Sequence, residues 1–239
     1  MRKALILLNM GGPNNLSEVE VFLKNMFNDP FILGVKSDFW RSVLASLIVK
    51  SRTASARSNY EKLGGRSPIC SITEALCERV NELARAKLGA GLKFENAADA
   101  SAANESPQEA QAQGKPAQDT LLQNQLPQSV PTQGEPLQNE ASRDEKPIDE
   151  LICDYAMNYT PPFAEDVFKK YADFDEIILM PLYPYFSKTT VQSSLCSAEA
   201  ALKRLGIKNY KIVDIFYDSA AYNEILLNLI TGCISKFST

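Results

Sequence analysis

Beyond residue 150 the chain alternates at close intervals between short apolar runs and stretches of helical spacing, and this alternation narrows its fold more than any other feature. Leu151 to Met157, Glu176 to Met180 and Lys211 to Phe216 have strand length. Between and after them, Phe163 to Tyr171, opened by Pro161-Pro162, Ser194 to Leu205, ended by Gly206, and Ala220 to Phe237 keep helical spacing. Strands separated by helices with short connections predict a parallel sheet covered on both faces. The amino-terminal part adds one more buried strand, Ala4-Leu5-Ile6-Leu7-Leu8, stopped by Gly11-Gly12-Pro13. Helices then follow: one capped by Ser17 and running to about Phe27, one from Phe39 to Lys50, one from Arg52 to Leu63, and one from Ser71 to Leu88 ended by Gly89. The expected fold class is α/β: a Rossmann-like four-stranded parallel sheet flanked by helices, with strands at 3–9, 151–157, 175–181 and 210–216.

One segment does not fit this pattern. Residues 95–150 hold nine of the ten glutamines, six of the 13 prolines and no aromatic residue, with eleven acidic side chains against three basic ones. Such a composition cannot bury enough apolar area to offset the entropy of ordering it, so this insert is expected to be disordered. The folded domain is then 1–94 with 151–239. The whole-chain net charge of −4 belongs to the insert; the remainder is mildly basic, which suits an anionic ligand.

The 239 residues contain no histidine. Ser-His-Asp and Cys-His nucleophiles, histidine zinc sites and the usual neutral-pH general base are therefore excluded from the chain. An acidic pI near 5.1 gives no footprint for nucleic acid. Five scattered cysteines form no C-x-x-C pair, so reduced thiols and no metal knot are expected. Asn9 and the Gly-Gly-Pro turn end the first apolar run too early for a signal peptide, and later runs are too short to span a bilayer. The expectation is a soluble, cytoplasmic protein.

In open parallel sheets, ligands bind beyond the carboxyl ends of the strands. Three clusters fall there: Asn9-Met10-Gly11-Gly12-Pro13, Asn158-Tyr159-Thr160-Pro161-Pro162, and Tyr183-Pro184-Tyr185-Phe186-Ser187-Lys188-Thr189-Thr190 running on to Ser194. Each has two readings. The Gly-Gly-Pro is either a simple strand-to-helix turn or a ligand loop, although it matches no phosphate-binding glycine pattern. The hydroxyls at 187–194 either cap a helix or exceed what one cap needs. The aromatic residues are either core or a wall for a flat, apolar ligand bearing carboxylates.

Taken in order, the motifs resemble ferrochelatase, which inserts ferrous iron into a porphyrin at the end of haem biosynthesis. The resemblance rests on Leu7-Leu8-Asn9-Met10-Gly11-Gly12-Pro13, on Tyr60-Glu61-Lys62-Leu63-Gly64-Gly65-Arg66-Ser67-Pro68-Ile69, on Met157-Asn158-Tyr159-Thr160-Pro161-Pro162, and on Pro181-Leu182-Tyr183-Pro184-Tyr185-Phe186-Ser187-Lys188-Thr189-Thr190. It implies the first of two similar domains, with the porphyrin in the cleft between them. It also implies that the proton-accepting histidine, in an S-x-H-G-x-P motif, and a glutamate lie in the second domain and not in this chain. This chain is then expected to stop before them, and no catalytic residue or bound metal site is assigned to it. The porphyrin-binding positions implied are Met10, Tyr60, Ser67, Asn158, Tyr159, Ser187, Thr189 and Ser194, with Asn158 standing where many members carry arginine. Ferrous iron enters as substrate and no cofactor is expected.

The partners implied are porphyrin, ferrous iron and a separately encoded carboxyl-terminal half. Phe39, Trp40, Val43, Leu44, Leu47 and Ile48 fall at the lip of the cleft; composition alone assigns them to core, with a membrane surface that supplies porphyrin as the alternative. Three functions remain open at this point: one part of a metal-inserting lyase, a non-catalytic tetrapyrrole-binding half-domain, and, on general fold analogy, a nucleotide-binding domain.

Overall fold

The computed structural model describes residues 1–89 and 147–234. Most of the segment whose composition predicts disorder lies outside the described residues, as do residues 235–237 of the expected last helix. The insert's last residues, placed in it by composition, instead belong to the fold. The amino group of Met1 donates to the Pro147 carbonyl at 2.8 Å and to Asp149 Oδ2 at 2.5 Å. Glu150 already pairs with Arg2 in the sheet.

The strands β1 (Arg2–Asn9), β2 (Glu150–Met157), β3 (Glu176–Pro181) and β4 (Tyr210–Ile212) form one parallel sheet in the order β2-β1-β3-β4. The helices are α1 (Val19–Asn28), α2 (Asp38–Lys62), α3 (Ile69–Gly89), α4 (Ala164–Lys169), α5 (Ser193–Leu205) and α6 (Ala220–Ile234). Strand periodicity divides the core. Ala4, Ile6 and Leu8 of β1 join Ala156, Ile177 and Leu179 under α4 and α5, against Val167, Phe168, Ala198, Ala201 and Leu202. Leu5 and Leu7 point the other way, with Cys153 and Met180, against Cys77 and Val80 of α3. A continuous apolar run in β1 is what two covered faces require. A third cluster, Val19, Phe22, Leu23, Val49 and Tyr159, joins α1 and α2 to the loop after β2.

Two polar devices and a glycine turn hold this frame. Asn81 of α3 accepts from the Cys153 amide at 2.7 Å and donates to its carbonyl at 2.8 Å, so a side chain satisfies backbone groups of the edge strand β2. Lys3 and Glu176, each 4% exposed, form a buried pair at 3.0 Å, with Lys211 on the other carboxylate oxygen at 3.3 Å. Gly11, at φ +83°, and Gly12 let the loop after β1 approach its neighbours. A Cβ on Gly12 would lie 2.6 Å from Ser67 Cβ and Oγ.

Several boundaries differ from the sequence expectation. The stretches 39–50 and 52–63 are one helix, α2, because nothing between them breaks it: Ser51 and Thr53 bond back to the Ile48 and Val49 carbonyls. Asn15, not Ser17, caps the first helical turn, taking the amides of Ser17 and Glu18 onto its Oδ1. Helix α4 is only six residues long. The carbonyl of Pro162, just before it, accepts the Met157 amide at 2.8 Å. Strand β4 stops at Ile212 rather than 216, and Asp214 binds the next amide, of Ile215, with its own side chain at 2.7 Å. Of the six apolar residues at 39–48 assigned to core, none is buried; Phe39, Trp40 and Leu47 are each more than 60% exposed.

Candidate functional site

The chain leaves β1 for β2 on one side and then returns to β3 on the other. The crevice beyond the carboxyl ends of β1 and β3 is therefore the topological switch point of the sheet, where parallel α/β folds place ligands. The three clusters singled out in the sequence meet there. Backbone bonds stitch them together: Asn158 N to Asn9 O at 2.9 Å, Tyr159 N to Met10 O at 3.0 Å, and Leu182 N to Leu8 O at 2.9 Å. The Gly12 amide donates to Thr160 Oγ1 at 3.1 Å.

On the α1–α2 side, Met10, Tyr60 and Tyr159 come together. Tyr159 is buried in the cluster with Val19, Phe22 and Val49, and Met10 and Tyr60 pack partly buried against it. Burial pushes the Tyr60 phenol up.

On the α5 side, Tyr159 OH donates to Asp29 Oδ2 at 2.7 Å, Ser193 Oγ donates to the same oxygen, and Asn158 Nδ2 donates to Ser193 Oγ at 2.7 Å. Burial first, and then the Asp29 carboxylate, hold the Tyr159 phenol well above its ordinary range. Tyr183 OH and Ser194 Oγ lie 3.1 Å apart, and burial pushes this phenol up to about 12. Both rings are protonated at neutral pH and serve as hydrogen-bonding groups, not bases. A small void of about 10 Å³ lies between the ends of β1 and β2 and the helices α4 and α5; Asn9, Asn158, Ser194 and Ser197 line it together with Leu8 and alanines of the core.

The other positions stand apart. Ser187 caps a π-type turn, Lys188–Gln192, that leads into α5; its Oγ lies 2.9 Å from Thr189 Oγ1, and Gln192 N reaches back to Ser187 O at 3.2 Å. Ser194, grouped with them as an implied porphyrin-binding position, is only 4% exposed. Ser67 sits at the start of α3, where its amide donates to Pro13 O at 2.8 Å and its Oγ accepts from Ile69 N at 3.4 Å. It abuts the Gly12 turn. The hydroxyl run therefore does more than cap: Ser187 caps, while Ser193 and Ser194 tie α5 to two aromatic residues of the site.

Two of the residues that organise the site were not singled out from sequence: Asp29, which reads as a helix breaker in Asn28-Asp29-Pro30, and Asn25, whose Nδ2 donates to the Tyr159 carbonyl at 3.0 Å. No spacing connects either to residue 159. Among the described residues, no three His, Cys, Asp or Glu side chains gather as metal ligands, and no helix is long and apolar enough to cross a membrane.

A family model described as Ferrochelatase matches residues 2–129 and 126–239, split inside the glutamine-rich stretch. Curated proteins named ferrochelatase are similar along the chain. That of Campylobacter fetus is 41% identical over 240 residues, covering 100% of this chain and 57% of the relative. That of Campylobacter concisus is 37% identical, covering 98% and 54%. That of Helicobacter pylori is 34% identical, covering 98% and 52%. The chain thus spans a little over half the length of the curated relatives it matches.

Proposed function

The chain belongs to the ferrochelatase family, and from that premise we propose that the full-length protein inserts ferrous iron into a porphyrin, protoporphyrin IX or coproporphyrin III, with this chain supplying the first, porphyrin-binding domain. The observation that carries this reading is the convergence of three loops at the β1/β3 switch point. They set a half-buried methionine and tyrosine beside a polar row of Asn158, Tyr159, Ser193 and Ser194. An apolar wall and a polar edge suit a flat macrocycle with carboxylate arms.

The chemistry divides accordingly. Metal insertion requires removal of two pyrrole protons, and a positioned base must take them. This chain has no histidine, its site phenols are held protonated, and both oxygens of the Asp29 carboxylate are taken up by the Phe31 amide and the hydroxyls of Tyr159 and Ser193. Its residues therefore bind and orient the macrocycle. The histidine and glutamate that the family resemblance implies belong to the part of the relatives' length this chain does not span, whether joined to it or supplied separately.

The exposed apolar start of α2 is proposed as a peripheral membrane contact that receives an apolar porphyrin. Phe39 and Trp40 stack edge to face at 5.3 Å there, with Lys36 and Lys50 nearby in the chain.

The test is a titration of each porphyrin with micromolar chain, followed by addition of the remaining half of a ferrochelatase with ferrous iron. The expected result is a shifted porphyrin absorbance with the chain alone and iron insertion only with both halves. An unchanged spectrum overturns the binding reading. A shifted spectrum without insertion at saturating second half favours the alternative, a non-catalytic tetrapyrrole-binding half-domain.

A further inference from the structure

We propose that Asp29 is a positioning residue of this site, which through Ser193 fixes the orientation of the Asn158 amide; the inference rests on the reading of Asn158 as a ligand-facing position. The argument is one of donors and acceptors. A carboxylate only accepts. Asp29 Oδ1 takes the Phe31 amide at 2.7 Å, and Oδ2 takes the hydroxyls of Tyr159 and Ser193. Ser193 has a single hydroxyl proton, and it is given to Asp29. Its oxygen can then only accept, so the group of Asn158 that faces it at 2.7 Å is the Nδ2 amine and not the carbonyl. Asn158 Oδ1 makes no hydrogen bond among the described residues and is left as an acceptor beside the small void that Asn158 lines.

The orientation of Asn158 is thus decided two bonds away, by a residue on the loop after α1 that is remote from it in sequence. Ser193 is 4% exposed, so the relay runs where water competes little and each bond is strengthened. Asp29→Asn keeps the shape but offers an amine toward Ser193. Ser193 would then accept from residue 29 and donate to Asn158, and the Asn158 amide would turn over.

Two measurements on the full chain test this. The first needs no ligand: the side-chain amide protons of Asn158 are followed by ¹⁵N–¹H NMR, identified by their loss in Asn158→Ala. In the native chain one of the pair is hydrogen-bonded; Asp29→Asn and Ser193→Ala are each expected to move it. An unmoved pair in both variants overturns the inference. The second is porphyrin titration. Asp29→Asn is expected to weaken binding about tenfold in the native background and less than about twofold in Asn158→Ala, as coupled groups require. An equal penalty in both backgrounds overturns the positioning role while leaving the binding reading intact. If the native chain does not change the porphyrin spectrum, the binding reading fails and the NMR result alone decides the relay.

Discussion

Helix α4 buries Ala164, Val167 and Phe168 within six residues, whereas α6, fifteen residues long and more apolar in composition, buries none. The first half of α2 resembles α6: it leaves Phe39, Trp40, Val43, Leu44 and Leu47 exposed and buries Ala45 and Val49. Apolar content does not separate these regions; position against the sheet does. α4 crosses from β2 to β3 with α5 beside it, so each apolar side chain meets β1 or its neighbours. α6 follows the three-residue strand β4 at the edge of the sheet, and its Ile225, Leu227, Leu229, Ile230 and Ile234 are all more than half exposed. The two-faced sheet is expected to carry most of the stability of this chain, whereas α6 and the apolar start of α2 contribute mainly surface.

The largest effect is expected at the centre of that contrast. Phe168 is fully buried, and Phe168→Ala should destabilise the chain by about 3–5 kcal/mol through lost burial and the cavity left behind. Urea unfolding followed by circular dichroism reads it; a cost below about 1 kcal/mol would place the stabilising core elsewhere. Next comes the clamp on the edge strand. Asn81→Ala leaves the Cys153 amide and carbonyl without their partner and should cost about 1–3 kcal/mol. Faster hydrogen exchange at Cys153 should accompany it, and unchanged exchange there would show that α3 holds β2 by packing alone.

Much of this frame is legible in the sequence for a simple reason. Ala4–Leu8 is apolar at every position because both of its faces are covered, and period-2 burial with helical spacing on either side leaves few other solutions. The three loops were legible because strand ends are marked by Gly11-Gly12-Pro13, Pro161-Pro162 and Pro181. What escaped depends on contacts between distant residues. Asp29 joins Tyr159 and Ser193 across 130 and 164 positions, and no local pattern encodes that. The continuity of α2 escaped because serine and threonine look like breakers, whereas within a helix their hydroxyls bond to carbonyls three or four residues back. The exposure of Trp40 escaped because composition cannot tell an apolar helix face that finds a partner from one that does not.

The smallest effect on stability, and the sharpest test of the contrast, is expected on α2. Leu47 is 63% exposed, so Leu47→Ser should change unfolding free energy by no more than about 0.5 kcal/mol. The same substitution removes part of the apolar face proposed to meet a membrane. Trp40 is the only tryptophan in the chain, so its fluorescence reports that face without labelling. With vesicles containing phosphatidylglycerol, the native emission should shift to the blue. Leu47→Ser should require several-fold more lipid for the same shift, on the order of tenfold if the leucine is fully buried in the interface. No shift in the native chain would remove the membrane contact. A large loss of stability in Leu47→Ser would mean that α2 packs its apolar face against the protein after all, and the difference between α4 and α2 would close.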